Sequence, residues 1–228
     1  MEISIVIPAL NEGARIGDVV QTLLRQRPAA LIVADGGSTD DTVEAAVRAG
    51  AHVVRSSPGR GAQLAAGVAA VRTDGVWVVH ADTRVPEDGV RQVERALDEV
   101  PFGAFHLAID HPARVYRIIE FGVRLRIRLF HLVYGDQAMF FRKDAYEQVG
   151  GFPDIPLMED VALCRRFIEA GMSPHLLRAS VVTNARRWER DGPWRRTFGN
   201  WSLLFRYLVL GHAPDRLLPH YQPEPPSE

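Results

Sequence analysis

The chain has 228 residues, of which 46% are hydrophobic and 24% charged, and its formal net charge is −1. These values are typical of a globular protein with a sizeable core, and the nearly neutral charge argues against nucleic-acid binding. Cys164 is the only cysteine, which excludes a disulfide framework and a cysteine-based zinc site.

The beginning of the chain lacks the basic segment of a signal peptide. No apolar run in the sequence approaches the ~20 residues that a membrane-spanning helix needs. We therefore expect a cytoplasmic protein.

The first hundred residues alternate short apolar segments with helical periodicity. Predicted strands cover residues 2–7, 31–34, 52–55 and 76–81, and predicted helices cover residues 14–27, 41–49 and 62–71. Ser38 or Thr39 is expected to cap the second helix. Strands that alternate with helices favour an α/β fold, with a mostly parallel sheet flanked by helices.

The second half of the chain is less regular. Strands are predicted at residues 102–109, 138–142 and 176–183, and helices at 115–133, 143–149, 159–170 and 194–208. No linker separates the two halves. We therefore expect one domain over residues 1–221, followed by a disordered tail at residues 222–228.

Two helices in this half carry distinct stripes. The helix at 115–133 places Arg117, Arg124 and Arg128 on one stripe, opposite a broad apolar face. The C-terminal helix has an aromatic stripe formed by Trp194, Phe198, Trp201, Phe205 and Leu208. This stripe predicts a place in the core or in a homodimer interface, and peripheral contact with a membrane surface beside Arg117 is the alternative.

Polar side chains follow each of the first four predicted strands. They are Asn11 and Glu12, then Asp35 to Asp40, then Arg60, and finally His80 and Asp82. Each alone would fit a turn or a helix cap. However, the carboxyl ends of parallel strands meet at one edge of a sheet, where ligands bind. Acidic groups for a ribose or a metal ion and an arginine for phosphate together predict a nucleotide site.

Other nucleotide-binding and hydrolytic motifs are weak or absent. The segment 59–61 (GRG) follows the third strand rather than the first and lacks the third glycine of a dinucleotide fingerprint. The sequence contains no P-loop and no Gly-x-Ser-x-Gly motif. A P-loop NTPase is therefore excluded, and an α/β-hydrolase is disfavoured.

Seven segments, taken in order, resemble the GT-A fold glycosyltransferases of family 2. They occupy residues 4–12 (SIVIPALNE), 34–40 (ADGGSTD), 59–67 (GRGAQLAAG), 80–86 (HADTRVP), 150–153 (GGFP), 158–163 (MEDVAL) and 186–188 (RRW). The resemblance reaches about residue 221. It implies a Rossmann-like nucleotide-diphospho-sugar transferase fold, with a donor-binding half at 1–100 and an acceptor-binding half at 101–221. Residues 80–84, 134–137, 186–188 and 214–217 are also similar to a short subfamily labelled arsenosugar-biosynthesis glycosyltransferases, which accompany radical-SAM genes.

The resemblance implies roles for the matched positions. Asp35 would contact the nucleobase of a UDP-sugar, and Arg60 would lie near its diphosphate. Asp82 would ligate the Mg²⁺ or Mn²⁺ ion that bridges the diphosphate oxygens. Asp160, in the Glu159–Asp160 pair, would be the general base on the acceptor hydroxyl. Further positions assigned to the nucleotide-sugar site are Pro8, Asn11, Glu12, Asp40, Ala81, Arg187 and Trp188.

Three positions depart from the pattern of the family. His80 replaces the first aspartate of the Asp-x-Asp metal motif, which makes His80 a candidate ligand and leaves one carboxylate fewer. Gly36 replaces the second aspartate that commonly follows Asp35, and Ala65 stands where an asparagine is frequent. The dependence on a metal ion is therefore left open.

One base on the acceptor and one clamp on the leaving group predict inversion at the anomeric carbon. We expect an inverting glycosyltransferase that moves a sugar from a UDP-sugar to a small-molecule or glycan acceptor. A nucleotidyltransferase and a non-catalytic nucleotide-sugar-binding protein are the alternatives. The first of these is disfavoured, because the loop at residues 9–13 lacks a glycine-rich, basic sequence that would hold a triphosphate.

Overall fold

The computed structural model describes residues 1–220, except for the side chains of Arg187 and His220. The predicted tail at 222–228 lies outside the described residues. The strands are β1 (Ile3–Ala9), β2 (Ala30–Asp35), β3 (His52–Arg55), β4 (Gly75–Val78), β5 (Thr83–Arg84), β6 (Phe102–Asp110), β7 (Phe140–Arg142) and β8 (His175–Asn184). The helices are α1 (Gly13–Leu24), α2 (Thr42–Arg48), α3 (Arg60–Ala69), α4 (Gly89–Glu99), α5 (Arg114–Phe130), α6 (Lys143–Gln148), α7 (Glu159–Glu169), α8 (Arg186–Asp191), α9 (Pro193–Leu208) and α10 (Pro214–Leu217). Short 3₁₀ turns occupy Gly135–Gln137 and Leu218–His220.

The described strands form one eight-stranded sheet in the order β3-β2-β1-β4-β7-β6-β8-β5. Strands β3, β2, β1 and β4 are parallel neighbours, and β6 and β8 are parallel to each other. The exceptions are β7, which is antiparallel to both β4 and β6, and β5, which is antiparallel to β8. The predicted α/β class with a mostly parallel sheet is confirmed.

The central strands are buried on both faces of the sheet. In β1 the residues Ile5 and Ile7 face the layer that contains α1 and α4, whereas Val6 faces the layer that contains α3. The same alternation holds in β4, where Trp77 joins the first layer and Val76 the second. A strand covered on both faces has no polar side to show, which explains the continuous apolar runs in the sequence.

Two local expectations for the first half were wrong. Strand β4 ends at Val78 rather than at residue 81, and the short strand β5, which has no sequence signal, follows it. Ser38 and Thr39 do not cap α2, since its N-cap is Asp41. Instead, the backbone N–H of Asn11 donates to Ser38 Oγ over 2.9 Å. Ser38 therefore connects the loop after β2 to the loop after β1 and does not cap a helix.

Of the predicted stripe on the C-terminal helix, only Leu208 packs against the core. The outward residues Trp194, Phe198, Trp201 and Phe205 are 48%, 61%, 51% and 55% exposed. The opposite side of α9 packs inward, where Leu203 is buried. Periodicity identified the apolar stripe correctly, but α9 has apolar residues on two sides and only one of them faces the protein.

The predicted arginine stripe on α5 is partly used inside the fold. Arg117 donates to the carbonyl oxygen of Ile109 over 2.7 Å and pairs with the buried Glu120 at 2.9 Å. Glu120 also accepts the backbone N–H of Ile109. Arg117 thus fastens α5 to the end of β6, whereas Arg124 and Arg128 are exposed. None of the helices in residues 1–220 is both long enough and apolar enough to cross a bilayer.

Candidate active site

A cleft opens beside the carboxyl end of β4, between the N-termini of α3 and α7 and the helices α8 and α9. Its lining includes six residues singled out in the sequence, namely Arg60, His80, Asp82, Glu159, Asp160 and Trp188. It also includes Tyr134, Asp136, Asn184, Arg186, Arg196, Asn200, Leu203 and Leu204. The cleft therefore joins residues from both halves of the chain.

The other predicted site residues lie outside this lining. Pro8, Asn11, Glu12, Asp35 and Asp40 belong to the ends of β1 and β2 and to the loops that follow them, and Ala81 is buried between His80 and Asp82. The side chain of Arg187 lies outside the described residues. Since β2, β1 and β4 are consecutive in the sheet, the first group shares a rim with the cleft. Asp35, however, does not line the space that Asp82 and Asp160 share.

Asp160 is fixed by backbone donors. The N–H of Gly135 donates to Asp160 Oδ2 over 2.6 Å, and the N–H of Val161 donates to Oδ1 over 2.7 Å. Each carboxylate oxygen has a second lone pair that can accept a further proton donor. The carboxylate is therefore held in one orientation at the cleft and keeps the capacity to bind a hydroxyl group.

Gly135 allows His80 and Asp160 to approach each other. A Cβ atom placed on Gly135 would stand 3.1 Å from His80 Nε2 and 3.2 Å from Asp160 Oδ2, which is tighter than ordinary contact. A side chain at this position would therefore displace one of the two groups. No role was predicted for Gly135, because the requirement for a glycine comes from two residues that are distant in the chain.

Glu159 is almost completely buried and contacts the other side of the cleft. Its carboxylate lies 3.6 Å from Arg60 Nε and is 3% exposed. Burial and the adjacent Asp160 raise the pKa of Glu159 to about 7, while Arg60 acts in the opposite direction. This contact favours a role for Glu159 in positioning Arg60 over a direct role on a substrate.

The backbone is strained at the two segments that flank Asp160. Met158, directly before α7, has φ of +67°, and Ala138, after the 3₁₀ turn, has φ of +48°. Residues other than glycine in the left-handed region cost about 1–3 kcal/mol and persist where the surrounding fold enforces them. The turn at Met158 points the first turn of α7, with its two carboxylates, at the cleft.

Tyr134 is a cleft residue that the sequence interpretation did not assign. Burial raises the pKa of its phenol to about 12, although Arg126, which stacks 3.4 Å from the ring centroid, opposes the shift. The phenol therefore stays protonated at neutral pH and can donate a hydrogen bond. Trp188 also lines the cleft, and its indole Nε1 is buried with no hydrogen-bond partner among the described residues.

The carboxylate of Asp35 organises the turn that follows β2. It accepts the backbone N–H groups of Gly37 and Ser38 over 3.2 and 3.1 Å, and the residue is 2% exposed. Asp40 likewise accepts the N–H of Gly13 over 2.9 Å and the hydroxyl of Thr42. Burial alone would raise the pKa of Asp40, but these hydrogen bonds lower it. Both carboxylates therefore hold the loops of the rim in place.

Gln63 is a structural residue of the rim that the sequence did not reveal. Its buried side-chain amide donates to the carbonyl oxygens of Ala9 and Ala34, over 2.6 and 3.2 Å, and so ties β1 to β2. A Cβ atom on Gly36 would stand 2.8 Å from this amide. The glycine that replaces the usual aspartate at position 36 therefore makes room for Gln63.

The groups available for a metal ion are few. Within the described part of the chain, no three His, Cys, Asp or Glu side chains are close enough together to form a metal site by themselves. His80 and Asp82 both line the cleft and offer one imidazole and one carboxylate. Such a pair fits an ion that takes its remaining ligands from a diphosphate and from water.

Comparison with known proteins identifies the family. Residues 4–149 match the family model described as glycosyl transferase family 2. The chain belongs to this family. The predicted family is thus confirmed, whereas the arsenosugar subfamily stays a prediction.

Relatives and solved structures agree with this assignment. Glucosyl-3-phosphoglycerate synthase of Mycolicibacterium smegmatis is 40% identical over 97 residues, which cover 37% of this chain and 32% of that protein. Glycosyltransferase AglJ of Haloferax volcanii is 31% identical over 141 residues, or 58% of this chain and 45% of that protein. The matches therefore span less than half the length of these relatives.

Two solved structures share the fold of this family 2 chain. The crystal structure of glucosyl-3-phosphoglycerate synthase from Mycobacterium tuberculosis with Mn²⁺, UDP and glucosyl-3-phosphoglycerate has a TM-score of 0.63 at 22% identity. It covers 87% of this chain and 77% of the other. The structure of S. aureus TarS 1-349 has a TM-score of 0.62 at 14% identity, covering 87% of this chain and 64% of that one. At these identities the likeness establishes the fold, and the predicted GT-A architecture is confirmed.

Proposed function

We propose that this family 2 protein is an inverting glycosyltransferase that moves a sugar from a UDP-sugar to a hydroxyl group of a small-molecule or glycan acceptor. The observation that carries the proposal is the carboxylate of Asp160, fixed by the N–H of Gly135 at 2.6 Å in a cleft that also contains Arg60 and Asp82. Asp160 would act as the base, and Arg60 and Asp82 in the same cleft are suited to binding the leaving diphosphate.

The donor side is built from Asp82, His80 and Arg60. The M. tuberculosis synthase binds Mn²⁺ or Mg²⁺ together with UDP in its solved structures, and this fold is shared. His80 and Asp82 would hold such an ion, which would neutralise charge on the leaving diphosphate. Arg60, held by Glu159, adds a fixed positive charge on the same side. The turn at Asp35 would bind the uracil at the adjoining rim.

The acceptor side is assigned to Asp160, Tyr134 and Trp188. The acceptor oxygen forms a bond to the anomeric carbon while the bond from that carbon to the diphosphate oxygen breaks, and the acceptor proton passes to Asp160. A base on the opposite side from the leaving group gives inversion in a single displacement. The phenol of Tyr134 can orient the acceptor by a hydrogen bond, and the ring of Trp188 forms part of the wall of the cleft beside it. The resemblance to the arsenosugar subfamily favours an acceptor from specialised metabolism.

The test replaces Asp160 and measures binding and turnover separately. In Asp160→Asn the side chain keeps its shape but loses its basicity, and it can accept only one of the two backbone N–H groups. The rate of UDP release in the presence of Mn²⁺ should therefore fall about 10²- to 10⁴-fold. Affinity for UDP, measured by calorimetry, should change less than twofold, as that assay does not involve the acceptor. Asp154→Asn, at an exposed carboxylate outside the cleft, is the matched control.

Three results would contradict the proposal. Turnover of Asp160→Asn at the wild-type rate would remove Asp160 from its role as the base. A product whose anomeric configuration, read from proton NMR coupling constants, equals that of the donor sugar would exclude single-displacement inversion. An absence of UDP binding by the wild-type protein would refute the donor assignment itself.

A further inference from the structure

Two helices expose apolar stripes on the outside of the protein. On α5 the exposed residues are Ile118, Phe121, Leu125 and Leu129, and on α9 they are Trp194, Phe198, Trp201 and Phe205. Their exposed fractions lie between 44% and 61%. Spacings of three and four residues place each set on one side of its helix. We call these eight residues the aromatic face.

The two stripes adjoin each other. A Cβ atom on Gly122 of α5 would stand 3.7 Å from the indole ring of Trp201 on α9. Within α9 the ring centroids of Phe198 and Trp201 lie 6.5 Å apart. The stripes therefore form one continuous apolar surface. Surfaces of this kind on a folded protein mark contact with a protein or a membrane.

The aromatic face is bordered by positive charge. Helix α5 contains five arginines and one glutamate, and α9 contains three arginines and no acidic residue. Of these arginines, Arg117, Arg126 and Arg196 bind Glu120, Gln137 and Asp191 within the fold. The whole chain, by contrast, has a net charge of −1. Arg124 and Arg128 are exposed along one edge of the α5 stripe, on the side turned away from Gly122. Arg195 is exposed beside the α9 stripe, on the side turned away from Trp201.

We propose that the aromatic face docks onto a bilayer that contains anionic phospholipids. Amphipathic helices that combine Trp, Phe and Leu on one side with arginines at its edges bind such interfaces, because the apolar side chains enter the headgroup region and the cations stay with the phosphates. A second copy of the chain is a poorer occupant, since pairing two such faces would bring their arginine rows together.

Docking in this orientation would place the cleft close to the membrane. Asn200, Leu203 and Leu204 of α9 line the cleft, while the aromatic residues of the same helix point outward. One helix thus separates the cleft from the proposed membrane surface. The proposal concerns binding alone and stands whether or not the transfer reaction is the one given above.

The test is vesicle flotation of the purified full chain without any donor sugar. At low ionic strength the protein should float with vesicles made of equal parts of phosphatidylglycerol and phosphatidylcholine. The fraction that floats with vesicles of phosphatidylcholine alone should be much smaller. The variant Phe198→Ser/Phe205→Ser should weaken partitioning about tenfold or more, because two large apolar groups are lost. Arg124→Gln/Arg128→Gln should weaken it roughly fivefold for each arginine.

Val47→Ser is the matched control, as Val47 is 55% exposed on α2 and lies outside the aromatic face. It should float like the wild type, and the thermal midpoints of all variants should stay close to that of the wild type. Equal flotation of wild type and Phe198→Ser/Phe205→Ser would overturn the proposal. The proposal would also be overturned if the wild type did not bind the anionic vesicles but formed a dimer in analytical ultracentrifugation that the same variant disrupts.

Discussion

A methyl group on Gly135 tests how tightly the cleft is built around Asp160. In Gly135→Ala the backbone N–H that donates to Asp160 Oδ2 is retained. The added Cβ atom would stand 3.1 Å from His80 Nε2 and 3.2 Å from Asp160 Oδ2, so one or both groups must retreat by a few tenths of an ångström. The substitution changes only geometry and removes no titratable group.

The expected loss follows from that displacement. A shift of about 1 Å in a catalytic group costs about 10²-fold in rate, so a few tenths of an ångström should lower kcat about three- to tenfold. Affinity for UDP in the absence of metal should stay unchanged, because Arg60 and the rim at Asp35 do not touch Gly135. If His80 is the group that moves, the Mn²⁺ concentration for half-maximal activity should rise as well.

The assay is UDP release under single-turnover conditions, with Gly17→Ala as the matched control. A Cβ atom on Gly17, in the middle of α1, would meet only the carbonyl oxygen of Ala45 at 3.9 Å, an ordinary contact. This variant should keep wild-type kcat and gain about 0.5–1 kcal/mol in free energy of unfolding. A Gly135→Ala rate within twofold of the wild type, with an unchanged Mn²⁺ requirement, would refute the reasoning.

Two further predictions concern stability. The raised pKa of Glu159, about 7 against 4.5, means that this group stabilises the fold fully below pH 4.5 and that the contribution is lost as the pH rises through 7. Urea unfolding of Glu159→Gln at pH 5 and pH 8 should therefore show a smaller fall in stability than the wild type, by up to about 3 kcal/mol; parallel pH profiles would contradict it. Gly36→Asp should cost about 1–3 kcal/mol in the same assay, since its Cβ atom would stand 2.8 Å from Gln63. In the double variant Gly36→Asp/Gln63→Ala the loss of unfolding free energy should be smaller than the sum of the two single losses. A loss equal to that sum would contradict the proposed clash.

The predictable parts of the fold are those that one segment determines by itself. Strands β1 to β3 agree with their predicted positions within about one or two residues. Strands β1 and β2 are covered on both faces and are therefore continuous apolar runs. The strand β5 has two residues and thus no periodicity, and it exists because β8 passes beside it. For the same reason the outward direction of the α9 stripe was not predictable, as it depends on which side of the helix meets the remainder of the protein.

The candidate site likewise has parts that the sequence predicts and parts that it does not. The carboxylates and cations of the rim were predicted, because polar residues at strand ends mark a binding edge. That Asp160 shares a cleft with Asp82 was implied only by the resemblance to family 2. Gly135 and Gln63 lie in segments that carry the resemblance, but no role was predicted for either, since a glycine and a buried amide acquire their roles from partners 25 or more residues away.

Two of the three departures from the family pattern, at positions 36 and 80, are each matched by a second residue in the structure. The glycine at position 36 leaves the space that the amide of Gln63 fills, and that amide ties β1 to β2. His80, in place of an aspartate, lies against Gly135, whose missing side chain leaves room for the imidazole. Restoring an aspartate at position 36 alone would therefore create a clash with Gln63. An aspartate at position 80 would instead be smaller than the imidazole and would leave space beside Gly135. The two departures thus differ in kind, because the first excludes the usual residue sterically and the second replaces it with a larger group.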